Sequence, residues 1–442
     1  MLKRIHPIVR VAVGAVLAAL VIDYGLSAQR DLPMTTPESV GMSSERLARV
    51  SAAMKEHVDR NEIAGAITLI ARKGKIAHFE AHGWRDKEAN APMQRDTIFT
   101  LMSMTKPIVS TALMMLLEEG KVTLEDPISR WLPQYADKMV MLENGGLVKA
   151  DRPITVRHIL THTSGLSLNP PAPAGQAATT QPRGKTLADD IDRAAPYPLL
   201  FQPGDRWQYG SSTDYVGILV EKISGQTLDE FLRTRIFEPL GMRDTFYNLP
   251  ADKVRRLAAA YDFGPDGKMT LLRKPELPAP TRYFPGVAGL LGTAGDYFRF
   301  AQMLLNGGTY DGHRLLSPMT VKMMFTNQIG NMPASIKTMQ WGREQTVWGG
   351  GYGFGLGGAV LTDPARAHDW LSKGTFTWSG AWGTIFWIDP SEELIPILLV
   401  QATPYGYGER IRSSYSSLAS QAIVERLDDH MSTSAARRIG AH

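Results

Sequence analysis

The sequence predicts an α/β (α+β) fold in which one antiparallel sheet is flanked by helices and interrupted by an all-helical domain. Three observations support this. Strand-like runs lie near both ends of the chain, helical periodicity dominates the middle, and no segment repeats at a fixed period. A length of 442 residues allows two or three domains. The simplest arrangement is a sheet domain that is split by a helical insert.

The first part of the chain predicts a helix followed by a hairpin. Apolar residues recur at helical spacing across 43–60. Strand-like runs follow at 66–71 and 76–84, and Lys73-Gly74 between them is typical of a hairpin turn.

The middle of the chain is predicted to be helical. A helix over 106–119 ends at Gly120, a favourable C-terminal cap. Further helical patterns cover 187–194, 214–223, 228–236, 295–305 and 318–325. The segment 167–186 is rich in Pro, Ala, Thr and Gly and predicts a long loop, which we interpret as a candidate substrate lid.

Strand patterns return near the end of the chain. They cover 352–356, 375–378, 383–388 and 394–401, and a last helix spans 411–423. The predicted sheet domain therefore comprises 35–100 and 285–430, and the helical domain comprises 101–284. Residues 431–442 form a polar tail.

Residues 1–28 have the pattern of a secretory signal peptide. Basic residues precede a twelve-residue apolar stretch, Val11 to Ile22, and small residues suited to cleavage follow at 25–28. A bilayer span needs about 20 apolar residues. We expect export to the periplasm or medium, with no membrane span after cleavage. An uncleaved N-terminal anchor is the alternative.

Composition excludes several classes of protein. The absence of cysteine rules out disulfide scaffolds, thiolate metal sites and cysteine nucleophiles. Half of the net charge of +4 lies within the first 28 residues, and no run of like charges marks a nucleic-acid-binding arm. His158 and His162 have zinc-protease spacing, but Ile159 replaces the required glutamate, so we interpret them as a structural pair on a helix. We expect no metal or organic cofactor and no nucleic-acid partner.

Ser103 and Lys106 form a Ser-x-x-Lys motif at the start of the 106–119 helix. A spacing of three places both side chains on one face. A serine hydroxyl needs an adjacent base to become a nucleophile, and a lysine amine is a base only where its surroundings favour the neutral form. The N–H groups of the helix N-terminus suit an oxyanion. On the motif alone, a solvated helix start is the alternative.

Four blocks in order resemble the serine β-lactamase-like family. They lie at 103–107, 159–166, 201–225 and 286–297, and the resemblance extends over nearly the whole chain after the signal. The family includes class C β-lactamases, D-alanyl-D-alanine carboxypeptidases and family VIII carboxylesterases, and this chain is most similar to the last group. The resemblance implies the β-lactamase/DD-peptidase-like fold and a serine hydrolase that acts through an acyl-enzyme.

The resemblance also implies roles for individual residues. Ser103 matches the nucleophile, Lys106 its proton acceptor, and Tyr209 the tyrosine that passes protons to and from the leaving group. The backbone N–H groups of Ser103 and Ala381 would form the oxyanion hole.

Two family positions differ in this chain. Ser211 replaces the asparagine two residues after the tyrosine, and Trp378-Ser379-Gly380 stands where Lys-Thr-Gly is usual. These four residues are the predicted substrate-binding set, although Trp378 could instead be a core aromatic. Loss of the lysine removes a charge-assisted contact to a substrate carboxylate, which favours neutral acyl esters.

The predicted function is a carboxylesterase acting on small acyl esters. The alternative is a β-lactamase or DD-carboxypeptidase acting on β-lactams or peptidoglycan, which the export signal favours. A catalytically inactive scaffold is a third hypothesis. The expected partner is a small-molecule ester or lactam, and the sequence gives no oligomeric state.

Overall fold

The computed structural model describes residues 31–168, 184–264, 266–340, 343–403 and 405–427. Within these ranges the main sheet has eight antiparallel strands, ordered β4-β5-β6-β7-β8-β1-β2-β3. In chain order these strands are β1 (Gly65–Arg72), β2 (Lys75–Asp86), β3 (Ala91–Pro92), β4 (Tyr352–Phe354), β5 (Ala359–Leu361), β6 (Phe376–Ser379), β7 (Ile385–Ile388) and β8 (Leu394–Val400). Pairing of β1 with β8 joins the two ends of the chain, as the sequence predicts.

The hairpin between β1 and β2 follows from its turn residues. Lys73 and Gly74 both have positive φ, of 53° and 73°, which a two-residue turn between twisted strands requires. Strand β1 is buried along its whole length. The predicted hairpin is therefore confirmed.

The long helices of the described chain are α1 (Ser44–Asp59), α2 (Thr105–Glu118), α3 (Ser212–Ser224), α4 (Ala294–Leu305) and α5 (Tyr405–Gln421). Of these, α1, α4 and α5 pack on the main sheet. Tyr297 of α4 contacts Phe386 of β7, and Tyr415 of α5 contacts the next residue of that strand, Trp387. Because successive strand residues point to opposite faces, α4 and α5 cover the two faces of the sheet.

Shorter elements complete the described fold. Short helices cover Val156–Leu160, Leu187–Ala194, Leu228–Leu232, Glu238–Leu240, Pro318–Met324 and Pro364–Ala367, and a π-helical turn covers Arg233–Phe237. Small strand pairs are Phe99–Thr100 with Leu291–Gly292, Thr309–Tyr310 with His313–Arg314, and Ile336–Gln340 with Arg343–Val347.

The insert is mainly helical, with α2 packed on α3, but it also contains two β-hairpins. One pairs Met139–Met141 with Leu147–Lys149, and the other pairs Ala260–Phe263 with Met269–Arg273. Ala402–Thr403 joins the second hairpin as a parallel strand. The prediction of an all-helical insert is therefore wrong in this detail, because strands this short carry too little periodicity to be recognised.

Several predictions fall on residues outside the described ranges. These are the signal at 1–28, most of the loop at 167–186 and the tail at 431–442. The domain boundaries stay a prediction. No helix within the described ranges has the length and apolarity needed to cross a bilayer.

Candidate active site

Ser103 lies in a tight turn, Met102–Met104, immediately before α2. Met102 has a φ of 51°, a left-handed conformation that side chains other than glycine rarely adopt. The preceding carbonyl, that of Leu101, accepts a hydrogen bond of 2.9 Å from Thr384 Oγ1. The surrounding structure therefore holds Ser103 in a turn that is unfavourable by itself, which is a common feature of functional sites.

Lys106 lies on the first turn of α2 and is almost fully buried, with 3% of its surface exposed. Its Nζ donates to Ser103 Oγ at 3.1 Å and to the carbonyl of Val287 at 2.8 Å. The same atom lies 4.6 Å from the centre of the Tyr209 ring. No described carboxylate forms an ion pair with this amine. The predicted placement of Ser103 and Lys106 on one face is confirmed.

Tyr209 reaches the same serine from the segment before α3. Its hydroxyl donates to Ser103 Oγ at 2.7 Å, and its ring packs 5.1 Å from that of Trp378. A serine oxygen can accept two hydrogen bonds and still donate its own proton. The fold thus brings Ser103, Lys106 and Tyr209 together, although they come from separate parts of the chain.

Two residues that position Lys106 were not predicted. The carbonyl of Val287 accepts from Lys106, and the N–H of Val287 donates to Asp214 Oδ1 at 3.1 Å. Asp214 is itself buried on α3. The 286–297 block is visible in the sequence, but a backbone carbonyl has no residue-type signal that would show its role.

His162 is buried beside the same tyrosine. The helix that carries His158 ends at Leu160, and His162 lies beyond it with a φ of 57°. The prediction of two histidines on one helix is therefore wrong. The His162 ring packs against Tyr209 and Phe354, and burial, followed by the nearby Lys106 charge, holds its pKa well below the usual value. A neutral imidazole thus lies behind the tyrosine.

A pocket of about 160 Å³ opens beside Ser103. Its lining residues are Ser103, Tyr209, Ile336, Trp348, Trp378, Ser379 and Ala381, and none of them carries a formal charge. Trp378 is 1% exposed and stacks on Trp348 with ring centres 5.5 Å apart. Ile336 and Trp348 were not predicted, since they lie in a region without any recognised motif.

The turn after β6 places Ala381 near the serine. The N–H of Gly380 donates to the Thr384 carbonyl at 2.7 Å, and the N–H of Gly383 donates to the Gly380 carbonyl. A Cβ at position 380 would lie 2.5 Å from the Leu101 carbonyl oxygen. The glycine therefore permits close packing against the backbone before the serine, whereas the sequence suggested an approach to a ligand.

Ser211 does not line this pocket. It lies at the N-terminus of α3, and its Oγ accepts a hydrogen bond of 3.3 Å from the Leu168 N–H. Ser211 is therefore not part of the pocket lining that contains Trp378 and Ser379, with which it was grouped.

A second group of donor atoms lies on β2. One donor atom from each of His78, Glu80 and His82 lies within 4.8 Å of the others, a spacing that a metal ion could use after some adjustment. Thr68 Oγ1 hydrogen-bonds both imidazoles, at 2.8 and 2.9 Å. The His-x-Glu-x-His alternation could have indicated this group, because alternate strand residues share a face. The expectation that the protein uses no metal stays a prediction.

Comparisons with known proteins identify the family of this chain. The sequence model of the family described as Beta-lactamase matches residues 50–416. Esterase EstB of Burkholderia gladioli is 31% identical, over 81% of this chain and 91% of its own. Lovastatin esterase of Penicillium rubens is 30% identical, over 78% of this chain and 90% of its own.

A solved structure also matches this chain over most of its length. EstCE1, described as a hydrolase with promiscuous acyltransferase activity, matches with a TM-score of 0.71 at 28% identity, over 85% of this chain and 98% of its own. The predicted β-lactamase/DD-peptidase-like fold is confirmed. The chain therefore belongs to the beta-lactamase family and is a serine hydrolase.

Proposed function

We propose that the protein is a carboxylesterase that hydrolyses esters of small, uncharged acyl groups through an acyl-enzyme on Ser103. One observation carries the proposal: Lys106 Nζ and Tyr209 OH converge on Ser103 Oγ beside a pocket whose lining has no formal charge. This arrangement combines a nucleophile with groups that accept and donate its proton.

The proposed reaction has two balanced halves. Ser103 Oγ attacks the ester carbonyl carbon and gives its proton to Lys106, while the N–H groups of Ser103 and Ala381 stabilise the oxyanion. Tyr209 donates a proton to the departing alkoxide, so the alcohol leaves and the acyl group stays on Ser103. Water then attacks the acyl-enzyme and gives a proton to the Tyr209 phenolate, Lys106 returns its proton to Ser103 Oγ, and the carboxylic acid leaves.

The pocket supports an ester substrate over a β-lactam. No residue that lines the pocket can give a β-lactam or peptidoglycan carboxylate a cationic contact, and Trp378 occupies the position where the family usually has lysine. Trp348 and Trp378 offer apolar surface to an acyl chain, and a volume of about 160 Å³ suits a short one. Two of the relatives are named as esterases.

The test compares wild type with Ser103→Ala on 4-nitrophenyl butyrate and nitrocefin. We expect ester turnover by wild type and a loss of about 1,000-fold or more in the variant, as for other nucleophile deletions. A fluorophosphonate probe should label wild type and not the variant. Ser110→Ala, two turns along α2, is the matched control. It should keep both ester turnover and labelling by the probe.

Two outcomes would contradict the proposal. Equal ester turnover by wild type and Ser103→Ala would remove Ser103 as the nucleophile. Nitrocefin turnover well above ester turnover would instead identify the β-lactam alternative.

A further inference from the structure

Arg273 lies partly buried at the end of the Met269–Arg273 strand without an acidic partner among the described residues. Its Nη2 donates to Thr100 Oγ1 at 2.6 Å, and its guanidinium lies 4.7 Å from the centre of the Trp382 ring. Its Nε is buried and has no hydrogen-bond partner within the described part of the chain. Only one of its donor groups therefore has a hydrogen-bond partner within the described part of the chain.

Two other arginines of low exposure are each paired with a carboxylate. Arg72 pairs with Glu392 at 2.6 Å, and Arg256 pairs with Asp244 at 2.7 Å. Burial lowers the pKa of Arg273, a sign that its desolvation is not compensated by a nearby anion. A partly desolvated cation with free donors gains most from a carboxylate supplied from outside.

The position of Arg273 relates it to the active site. Its hydrogen-bond partner Thr100 is three residues before Ser103, which limits their Cα separation to about 11 Å. Its aromatic partner Trp382 directly follows Ala381, which lines the pocket beside Ser103.

The same region is fixed by further hydrogen bonds. The side chain of Gln401 accepts from the Thr100 N–H and donates to the Thr100 carbonyl, each at 3.1 Å. The N–H of Ala402 donates to the Trp382 carbonyl at 2.9 Å, and Ala402 also pairs with the hairpin that carries Arg273. These hydrogen bonds fix Thr100 and Trp382, the two residues that contact the guanidinium. They therefore hold the guanidinium beside the turn that carries Ser103.

We propose that Arg273, stacked on Trp382, binds a carboxylate on the alcohol half of the ester substrate. This inference rests on the proposed esterase function. The uncharged pocket suits the acyl half, and Arg273 is not among the residues that line it. The anionic part of the substrate therefore belongs to the half that stays outside the pocket. The planar guanidinium group also suits a bidentate contact with a carboxylate.

The experiment uses two butyrate esters with the same acyl group. One has the neutral leaving group 4-nitrophenol, and the other has 5-hydroxy-2-nitrobenzoate, which adds a carboxylate. The measured quantity is the ratio of kcat/KM for the anionic ester to that for the neutral ester. The proteins are wild type, Arg273→Gln, Arg273→Lys and the control Lys274→Gln, which removes an adjacent exposed charge.

We expect Arg273→Gln to lower this ratio about tenfold or more, the effect of losing one charge-assisted hydrogen bond. The change should fall mainly on KM, because the carboxylate is held equally in the ground state and the transition state. In Arg273→Lys the ratio should fall less than in Arg273→Gln. In Lys274→Gln the ratio should equal that of wild type.

An unchanged ratio in Arg273→Gln, or an equal fall in Lys274→Gln, would overturn the carboxylate subsite. Either result leaves the esterase function intact as long as Ser103→Ala abolishes hydrolysis of both esters. If wild type hydrolyses neither ester, the proposed function itself fails. Thermal denaturation of each variant shows whether it is folded, and Arg273→Lys supplies the test if Arg273→Gln is not.

Discussion

Two polar clusters in this protein have similar contents and different surroundings. At the active site, Ser103 Oγ has Lys106 Nζ and Tyr209 OH within 3.1 Å. On the sheet, Thr68 Oγ1 has the Nε2 atoms of His78 and His82 within 2.9 Å. Each cluster therefore consists of one hydroxyl with two hydrogen-bond partners.

The clusters differ in what lies beside the hydroxyl. Thr68 is fully buried, and its hydroxyl forms a hydrogen bond with each imidazole. Ser103 lines a pocket, and both of its neighbours direct donors at it. A substrate that enters the pocket can therefore reach the Ser103 hydroxyl. The comparison indicates that access to a cavity, more than the types of polar group, separates a reactive cluster from a structural one.

The same substitution made at the active site and at a buried tyrosine that contacts the sheet tests this contrast most strongly. We expect Tyr209→Phe to lower kcat on 4-nitrophenyl butyrate by about 100-fold or more, because the proton donor is lost while the ring packing stays. Tyr415→Phe removes a hydroxyl that donates to the Leu69 and Ile397 carbonyls in the sheet. It should keep kcat and lower the free energy of unfolding by about 1–2 kcal/mol.

Steady-state kinetics and urea unfolding of both variants decide this prediction. A Tyr209→Phe enzyme with normal kcat would remove the phenol from the proton transfers. A large kcat loss in Tyr415→Phe would show that the sheet and the active site are energetically coupled.

Much of the active site could be predicted because its side chains lie within short sequence patterns. Ser103 and Lys106 are three residues apart, so a helical spacing predicts their proximity, although Ser103 lies in the turn just before α2. Tyr209 required the resemblance to a family, since no local rule brings it to Ser103. Val287 acts through a backbone carbonyl, and Trp348 reaches the pocket through tertiary packing. Neither contact leaves a local sequence pattern.

The fold shows the same division between local and non-local information. Lys73-Gly74 predicts the hairpin because turn geometry depends on those two residues. The two-residue strand β3 is too short to show alternation. The 76–84 strand was predicted, but the burial of His78 and His82 on one face depends on the helices that cover the sheet.

Acid should lower the free energy of unfolding through the sheet cluster, which consists of Thr68, His78 and His82. Burial lowers the pKa of His78 to about 4 and also lowers the pKa of His82, against an opposing effect of Glu80. Between pH 6.5 and 4 the unfolded chain therefore binds more protons than the folded protein, so stability is lost as the pH falls through this range. We expect a loss of about 2 kcal/mol between pH 7 and pH 5 from His78 alone.

Urea unfolding at pH 7 and pH 5 measures this effect in wild type and His78→Gln. The variant should show a smaller decrease, because its side chain at position 78 does not titrate. An identical decrease in both proteins would mean that other groups cause the acid sensitivity.

The smallest expected effect separates stability from activity within the sheet cluster. Thr68→Val keeps the shape of the side chain but leaves two buried imidazole nitrogens without their partner. This should lower the free energy of unfolding by about 1–2 kcal/mol, with kcat on 4-nitrophenyl butyrate unchanged. Thr326→Val, which removes a hydroxyl bonded to the Lys322 carbonyl at an exposed position, is the control. If both variants lose the same free energy of unfolding, the Thr68 hydroxyl contributes no more to stability than an exposed hydroxyl.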